Sequence, residues 1–438
     1  MDFKEYPSYK DSGVEWLGEV PEHWDVKRLK YLFSIKNGAT PKSNVSQFWD
    51  GDIKWVTPSD LSKLESHEIA ESSRTITVEG FNSCGTNLVP AGSIIVSCRA
   101  PIGSLAITLT SLCTNQGCKS LVASKILNIK FYFYFLSISA DKLNSLGNGT
   151  TFLELSSFEL KNLSILAPRL EEQAQIVAFL DTETSRIDNL IAKQEKLIEK
   201  LEEHRKSVIS HAVTKGLDPS ATMRDSGVEW LGEVPEHWYV TSVKRAYNVK
   251  LGKMLQPEKK NENDVLKKFL KASNISWTDI SSTENEMWFS ENDILQLRLE
   301  KGDLLITEGG DVGKSCIWDS TQEMYYQNSI NRVRPKPNGL NKFLYYFIFS
   351  LKSIGYIDIL CNKATIAHFT AEKLNEMILL LPSINEQIEI VQYLDEKCLK
   401  INNLIGEQNR LITKLKEYRT SIISHAVTGK IDVRDLVA

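Results

Sequence analysis

The fourteen residues DSGVEWLGEVPEHW occupy positions 11 to 24 and recur unchanged at 225 to 238. A repeat at fixed offset constrains architecture before any local propensity does, because each copy must fold to the same plan. A second pair of related segments lies at the same offset of 214. PRLEEQAQIVAFLDTETSRIDNLIAKQEKLIEKLEEHRKSVISHAVTKGLD (168 to 218) and PSINEQIEIVQYLDEKCLKINNLIGEQNRLITKLKEYRTSIISHAVTGKID (382 to 432) share 26 of 51 residues without a gap. Between box and second region lie 143 residues in both copies, and their sequences have drifted far apart. The chain is therefore box, variable segment, related helix, twice over.

The related segments predict long helices, one of them over 171–212, which at 1.5 Å per residue is about 60 Å. Pro168 and Pro382 stand just before each run, and Glu171, Glu172 and Glu386 bring negative charge to the first turns. Gly216 and Gly429 lie just past the ends. Apolar residues recur on a heptad. One seam position reads Leu180, Ile187, Gln194, Leu201 and Val208, with Leu394, Ile401, Gln408, Leu415 and Ile422 in the second copy. The other includes Leu190 and Leu197, and Leu404 and Leu411. A narrow seam on a long helix meets another helix. The expected partner is the other copy, running antiparallel; the alternative is that each helix packs onto its own domain. Glu183 and Lys397 share one slot with opposite charge.

Each variable segment mixes short β-type runs with turn punctuation, as in GDIKWVTPSDL, AGSIIVSCRAPIGSLAI and GDLLITEGGDVGKSCIW. The aromatic runs at 130 to 139 and 342 to 354 lack period-2 alternation and interleaved charge, so they read as buried core helices rather than base-stacking platforms. The box tryptophans, Trp16, Trp24, Trp230 and Trp238, read as packing residues. The fold class that follows is α+β: two mixed domains joined by two long helices pairing as an antiparallel coiled coil, an internal pseudo-twofold repeat. In chain order the expected parts are 1–167, a first domain with its box; 168–217, the first helix; 218–381, a second domain with the second box; and 382–438, the second helix and tail.

Several function classes drop out. EGGDVGKS at 308 to 315 nearly matches a phosphate-binding loop, but Glu308 stands where that loop needs glycine, and a carboxylate there opposes phosphate. No GxSxG, HExxH or Gly-rich S-adenosylmethionine loop is present, and His23, His237, His211 and His425 recur where scaffold is expected. Seven scattered cysteines without a CxxC pair indicate reduced thiols and no zinc site. No apolar run is long enough to cross a bilayer, and the start MDFKEYPSYK has no signal-peptide pattern, so a cytoplasmic protein is expected. The net charge of −4 is unevenly spread. Residues 25–165 hold 14 Lys/Arg against 11 Asp/Glu, residues 239–381 hold 19 against 17, and the rest hold 19 against 28. Mildly basic variable segments permit polyanion binding.

Two diverged domains on a retained scaffold suit the reading of two different things at a fixed spacing. The paired GVEWLGEVPEHW boxes, the PxxxEQxxIVxxLD helix starts and the helix ends RKSVISHAVTKG and RTSIISHAVTGK resemble the DNA specificity subunit of a Type I restriction–modification system over essentially the whole chain. The resemblance implies a non-catalytic subunit whose two target recognition domains each read half of a bipartite, asymmetric site in double-stranded DNA. It implies that the helices set the gap between half-sites and dock two methyltransferase subunits, that motor–nuclease subunits join for restriction, and that S-adenosylmethionine, ATP and magnesium sit on those partners. Loop residues able to meet bases or phosphates are then Thr40, Lys42, Ser59, Arg99, Asn115, Gln116, Thr150 and Thr151 in the first domain. In the second they are Lys253, Gln256, Asn274, Asp311, Lys314, Gln327, Asn328, Lys363 and Thr365. The rival readings are a coiled-coil adaptor that bridges proteins without touching DNA, and a nucleotide enzyme resting on EGGDVGKS.

Overall fold

A computed structural model describes residues 3–64, 66–99, 101–147, 153–361 and 368–436. The chain divides into two compact units, Met1–Gln194 with Arg410–Ala438, and Glu195–Asn409. This division cuts across chain order: each long helix contributes to both units.

In the first unit the main sheet has five strands in the order Phe33–Asn37, Cys118–Ala123, Ile94–Ser97, Leu105–Thr108, Glu68–Ile69. A second sheet sets Trp49–Val56 between Cys113–Thr114 and Thr75–Ile76. The strand after the box, Asp25–Arg28, pairs antiparallel with Ser164–Ala167 just before the long helix. The second unit repeats this plan. Its main sheet has four strands, Tyr247–Leu251, Ile330–Pro335, Leu304–Thr307 and Ser315–Ile317; its second sheet sets Val265–Leu270 between Glu286–Phe289 and Tyr325–Tyr326; and Tyr239–Ser242 pairs with Ile378–Leu381. The fifth strand is the first unit's own.

The aromatic runs are helices, Ile129–Ser137 and Asn341–Ser353, as their patterning predicts. Phe131 to Leu136 are all buried in the first, and Phe343, Leu344, Phe347 and Ile348 in the second. Each is clamped to the start of a long helix by one aspartate. Asp181 accepts from the Tyr134 hydroxyl at 2.8 Å and pairs with Lys130 at 2.9 Å. Asp395 does the same for Tyr346 at 2.7 Å and Lys342 at 2.6 Å.

The long helices run Leu170–Lys215 and Ile384–Val427. Inside the first unit Arg419 donates to Asp188, at 2.8 and 3.2 Å. Inside the second Arg205 donates to Asn402 at 2.9 Å. The number rises by 17 on one helix as it falls by 17 on the other, so the pairing is antiparallel. Leu180, Ile187, Leu394, Ile401 and Ile422 are buried, and Leu190, Gln194, Leu201, Val208, Gln408 and Leu415 are half-buried.

One half of the expected seam is displaced. Leu197, Leu404 and Leu411 are 42, 44 and 41 % exposed, whereas the next residues Ile191 and Ile412 are buried, and Ile198 and Ile405 half-buried. Each heptad offers a Leu-Ile doublet, and a heptad pattern cannot say which of two adjacent apolar residues turns inward. Nor do Glu183 and Lys397 act as a cross-pair: Arg186 holds Glu183 at 2.7 Å on its own helix, and Lys397 lies over the Tyr393 ring. In antiparallel helices, equal slots do not face each other.

The box holds both helices. Its histidine meets the start of one: His23 lies 3.0 Å from Glu172, and His237 3.1 Å from Glu386. The neighbouring glutamine closes the first turn, Gln173 donating to the Pro168 carbonyl and Gln387 to that of Pro382. Its tryptophan meets the end of the other. Gly429 and Gly216 have φ of +72° and +79°, and a Cβ on either would lie 3.2 or 3.3 Å from Trp24 or Trp238. Left-handed backbone and a tryptophan directly above leave room for glycine alone.

Candidate nucleic-acid interface

Three strands of the first unit's main sheet finish at one end. Asn37 closes Phe33–Asn37 opposite Lys119, and Ser97 closes Ile94–Ser97 opposite Cys118. The loops that leave this end carry the expected contact residues. Gly38 passes so close to the Thr114–Asn115 backbone that a Cβ would fall 2.0 Å from the Asn115 carbonyl oxygen. That crossing places Thr40 on Gln116, and the Thr40 hydroxyl donates to the Gln116 amide oxygen. Asn115 folds back to accept from the Gly117 amide at 2.9 Å, and its own amide donates to Val56 at 2.9 Å. Val56 leads into the short helix Pro58–Ser62, which presents Ser59. There Asp60 accepts from the Thr57 and Ser73 amides; burial would raise its carboxyl, and these hydrogen bonds outweigh that and lower it. Arg99 extends from the Ser97 side and forks onto Glu154 at 3.1 and 3.2 Å. Lys42 is exposed two residues beyond Thr40. Thr150 and Thr151 lie outside the described residues.

The second unit builds the same crossing from different residues. Gly252 passes over Gln327, with a would-be Cβ 2.3 Å from its carbonyl oxygen. Lys253 pairs with Gln327 across a parallel bridge, and the Asn328 amide donates to the Lys253 carbonyl at 2.8 Å. The turn from Glu308 to Lys314 leaves the same sheet end after Thr307. In it Asp311 pairs with Lys314 at 3.1 Å and Lys352 at 3.2 Å. Asn274 caps its own turn, accepting from the Lys271 amide and donating to Ser281. Lys253 does not reach outward: it pairs with Asp293 and lies over the Phe289 ring. Burial would raise the Asp293 carboxyl, but hydrogen bonds from Lys253 and Ser290 outweigh it and hold the group low. Gln256, expected in a loop, is 8 % exposed, and its side-chain amide donates to Asp264 at 2.9 Å. Lys363 and Thr365 lie outside the described residues.

Thr40, Ser59, Arg99, Asn115 and Gln116 are thus gathered at one sheet end, and Lys253, Asn274, Asp311, Lys314, Gln327 and Asn328 at the equivalent end of the second unit. Glu154 and Asp293, which hold Arg99 and Lys253, and Lys352, which pairs with Asp311, carry no sequence signal. EGGDVGKS is a turn between the antiparallel strands Leu304–Thr307 and Ser315–Ile317. The turn runs on into a strand, not into a helix whose N-terminus would receive phosphate, and Asp311 pairs with its lysine. Among the described residues no three His, Cys, Asp or Glu side chains are grouped to hold a metal, and no helix is long and apolar enough to cross a membrane.

A family profile described as "Type I restriction modification DNA specificity domain" matches residues 21–203 and 246–413, one stretch in each copy. The chain belongs to this family. Among curated relatives it is 24 % identical to the Type I restriction enzyme MjaVIII specificity subunit of Methanocaldococcus jannaschii, with 95 % of each chain aligned. It is 22 % identical to the EcoKI specificity subunit of Escherichia coli strain K12, covering 94 % of this chain and 90 % of that one. It is 33 % identical to the M. jannaschii MjaIX specificity subunit, but there the match spans 42 % of this chain and 43 % of that protein. The fold is shared with a solved chain of a type I R-M system studied for its complex assembly and conformational transition, at a TM-score of 0.71, 18 % identity and coverage of 93 % and 98 %. It is also shared with the HsdS subunit from Thermoanaerobacter tengcongensis, at 0.53, 17 % identity and coverage of 94 % and 98 %. Both matched segments of this specificity-family chain include the sheet end just described, because the loops hang on the strands that the profile covers.

Proposed function

We propose that this chain is the sequence-reading subunit of a Type I restriction–modification complex. Each unit reads one half of a bipartite, asymmetric site in double-stranded DNA through the loops at its sheet end. The observation that carries this reading is the contrast within each unit: an identical box and a frame of the same plan support loops of unrelated sequence at one edge. Recognition of two different half-sites requires loops that differ and a frame that does not. In the first unit Thr40, Lys42, Ser59, Arg99, Asn115 and Gln116 face the DNA, and Thr150 and Thr151 join them. In the second Lys314, Gln327 and Asn328 do so, with Lys363 and Thr365, while Lys253, Asn274 and Asp311 shape the loops. The parts follow the chain as 1–167, 168–217, 218–381 and 382–438, the two helical segments belonging to both units.

The helices set the number of base pairs between half-sites and dock two methyltransferase subunits. Support comes from Leu197 and Leu404 in the second unit and Leu411 in the first, large apolar side chains left more than 40 % exposed on the long helices. S-adenosylmethionine belongs to the methyltransferase subunits, and ATP and magnesium to the motor–nuclease subunits. This subunit supplies the address and no chemistry.

The test is methylome sequencing of cells carrying the chain with its methyltransferase partner. A methylated motif of two unlike halves and fixed gap is expected. Inserting one heptad in one long helix should change that gap or abolish methylation, and Lys314→Ala should weaken DNA binding of the assembled methyltransferase without stopping assembly. A single uninterrupted motif, or an adaptor that forms the complex but shifts no DNA fragment, would overturn the reading.

A further inference from the structure

The two glycine crossings place different side chains at one position. Thr40 and Met254 are equivalent, each two residues after its crossing glycine and 214 apart. In the first unit Thr40 is tied to Gln116, the residue equivalent to Asn328. In the second, Met254 is 74 % exposed, a large apolar side chain held out in water at the reading end. Its place is not loose: Gly252 is locked against Gln327, the Lys253 amide donates to the Tyr326 carbonyl at 3.1 Å, and the Asn328 amide returns to the Lys253 carbonyl at 2.8 Å. Met254 therefore leaves a backbone crossing that also carries Gln327 and Asn328, both half-buried.

We infer that Met254 with Asn328 and Gln327 reads an A·T pair in the second half-site through the major groove. This rests on the proposed DNA-reading function and names what that site recognises. An amide of Asn or Gln matches adenine N6 and N7, and the thymine of the same pair presents a methyl group beside them. An amide and an unbranched thioether at one crossing match both features of that pair. A G·C pair offers no methyl and would leave Met254 against polar edges. Methionine suits the contact because its flexible, polarizable chain fits an apolar group without a preformed pocket. Thr40, bonded to Gln116, makes the first unit's crossing polar, so the same position reads a different feature there.

The experiment uses the assembled methyltransferase and its own target duplex, with each thymine of the second half-site replaced singly by deoxyuridine, which removes only the 5-methyl group. One replacement should weaken binding by about fourfold, the effect of exposing one buried methyl. Met254→Ala should weaken binding of the unmodified duplex by a similar factor and become indifferent to that one deoxyuridine, while Met254→Leu keeps the sensitivity. Asn328→Ala should relax the base preference at the same pair. If wild type ignores every deoxyuridine, if the half-site contains no A·T pair, or if Met254→Ala stays as sensitive as wild type, the assignment to Met254 falls while DNA reading stands. If the assembled wild-type enzyme binds no DNA, the proposed function falls with it.

Discussion

The box grip and the sheet-end loops are opposite answers to duplication. At the grip the two copies use the same atoms: His23 on Glu172 and His237 on Glu386, Trp24 under Gly429 and Trp238 under Gly216. At the loops only the glycine crossing is retained, and the side chains it carries have changed from Thr40 and Gln116 to Met254 and Asn328. Positions that join several elements at once tolerate little change, because a substitution disturbs a helix start, a helix end and a sheet together. Positions that meet water on one side can drift without cost to folding. Yet the grip is not perfectly symmetric. The Trp238 indole donates to Glu386 at 2.8 Å, whereas that of Trp24 is buried without a partner among the described residues.

Truncation at the grip should have the largest effect. Trp24→Ala or Trp238→Ala removes a wholly buried indole and should destabilise its own unit by about 3–5 kcal/mol, read by amide exchange at each box. Milder changes separate the copies. Trp238→Phe should cost about 1.5 kcal/mol more than Trp24→Phe, because only Trp238 loses a hydrogen bond to a carboxylate. Equal costs would show that the asymmetry is energetically empty. Gly429→Ala and Gly216→Ala should each cost about 1–2 kcal/mol for left-handed backbone, and Gly429 more, since its Cβ would lie 2.4 Å from Pro21 Cδ.

A smaller difference lies where domain meets helix. In the first unit Arg419 is shared by Asp188 and His67; in the second the equivalent Arg205 has Asn402 in place of the aspartate. Asp188→Asn should therefore make the first unit like the second and cost under about 1 kcal/mol in melting, since the pair is partly exposed. The smallest effect is a slope with pH. Burial first, then the Arg419 charge, lowers the His67 pKa below its ordinary 6.5, while Asp188 and Asp181 oppose the shift and Lys130 adds to it. The unfolded chain then takes up the proton first as pH falls. Stability of the first unit should decline below about pH 6.5, with no such contribution above it, and His67→Phe should remove that part of the slope. An unchanged slope in the variant would place the titration elsewhere.

Most of the frame was legible. Identical boxes, the 26 shared helix residues and the aromatic runs each pointed to an element that exists, because periodicity and glycine or proline stops are local signals. The inward choice of Ile191 over Leu190 was not legible, since both satisfy the pattern and only the partner helix distinguishes them. At the reading end, residue type located the loops but not the side chains' employment. Gln256 and Lys253 looked available in sequence and are engaged by Asp264 and Asp293, residues 8 and 40 positions away. Met254 carried no motif, and its one signal was the shared offset from Thr40.

By itself, then, the sequence determined that one plan is used twice, that each copy ends in a long helix with a narrow apolar seam, and that divergence is greatest between box and helix. These are statements about pattern, and pattern is a property of neighbours along the chain. Tertiary structure alone decided that each box joins the start of one long helix to the end of the other, which isoleucines close the seam, and which loop side chains are left free. Many of those outcomes depend on contacts far apart in the chain, such as Lys253 with Asp293 and Gly429 on Trp24, where packing and burial rather than local propensity select the partner.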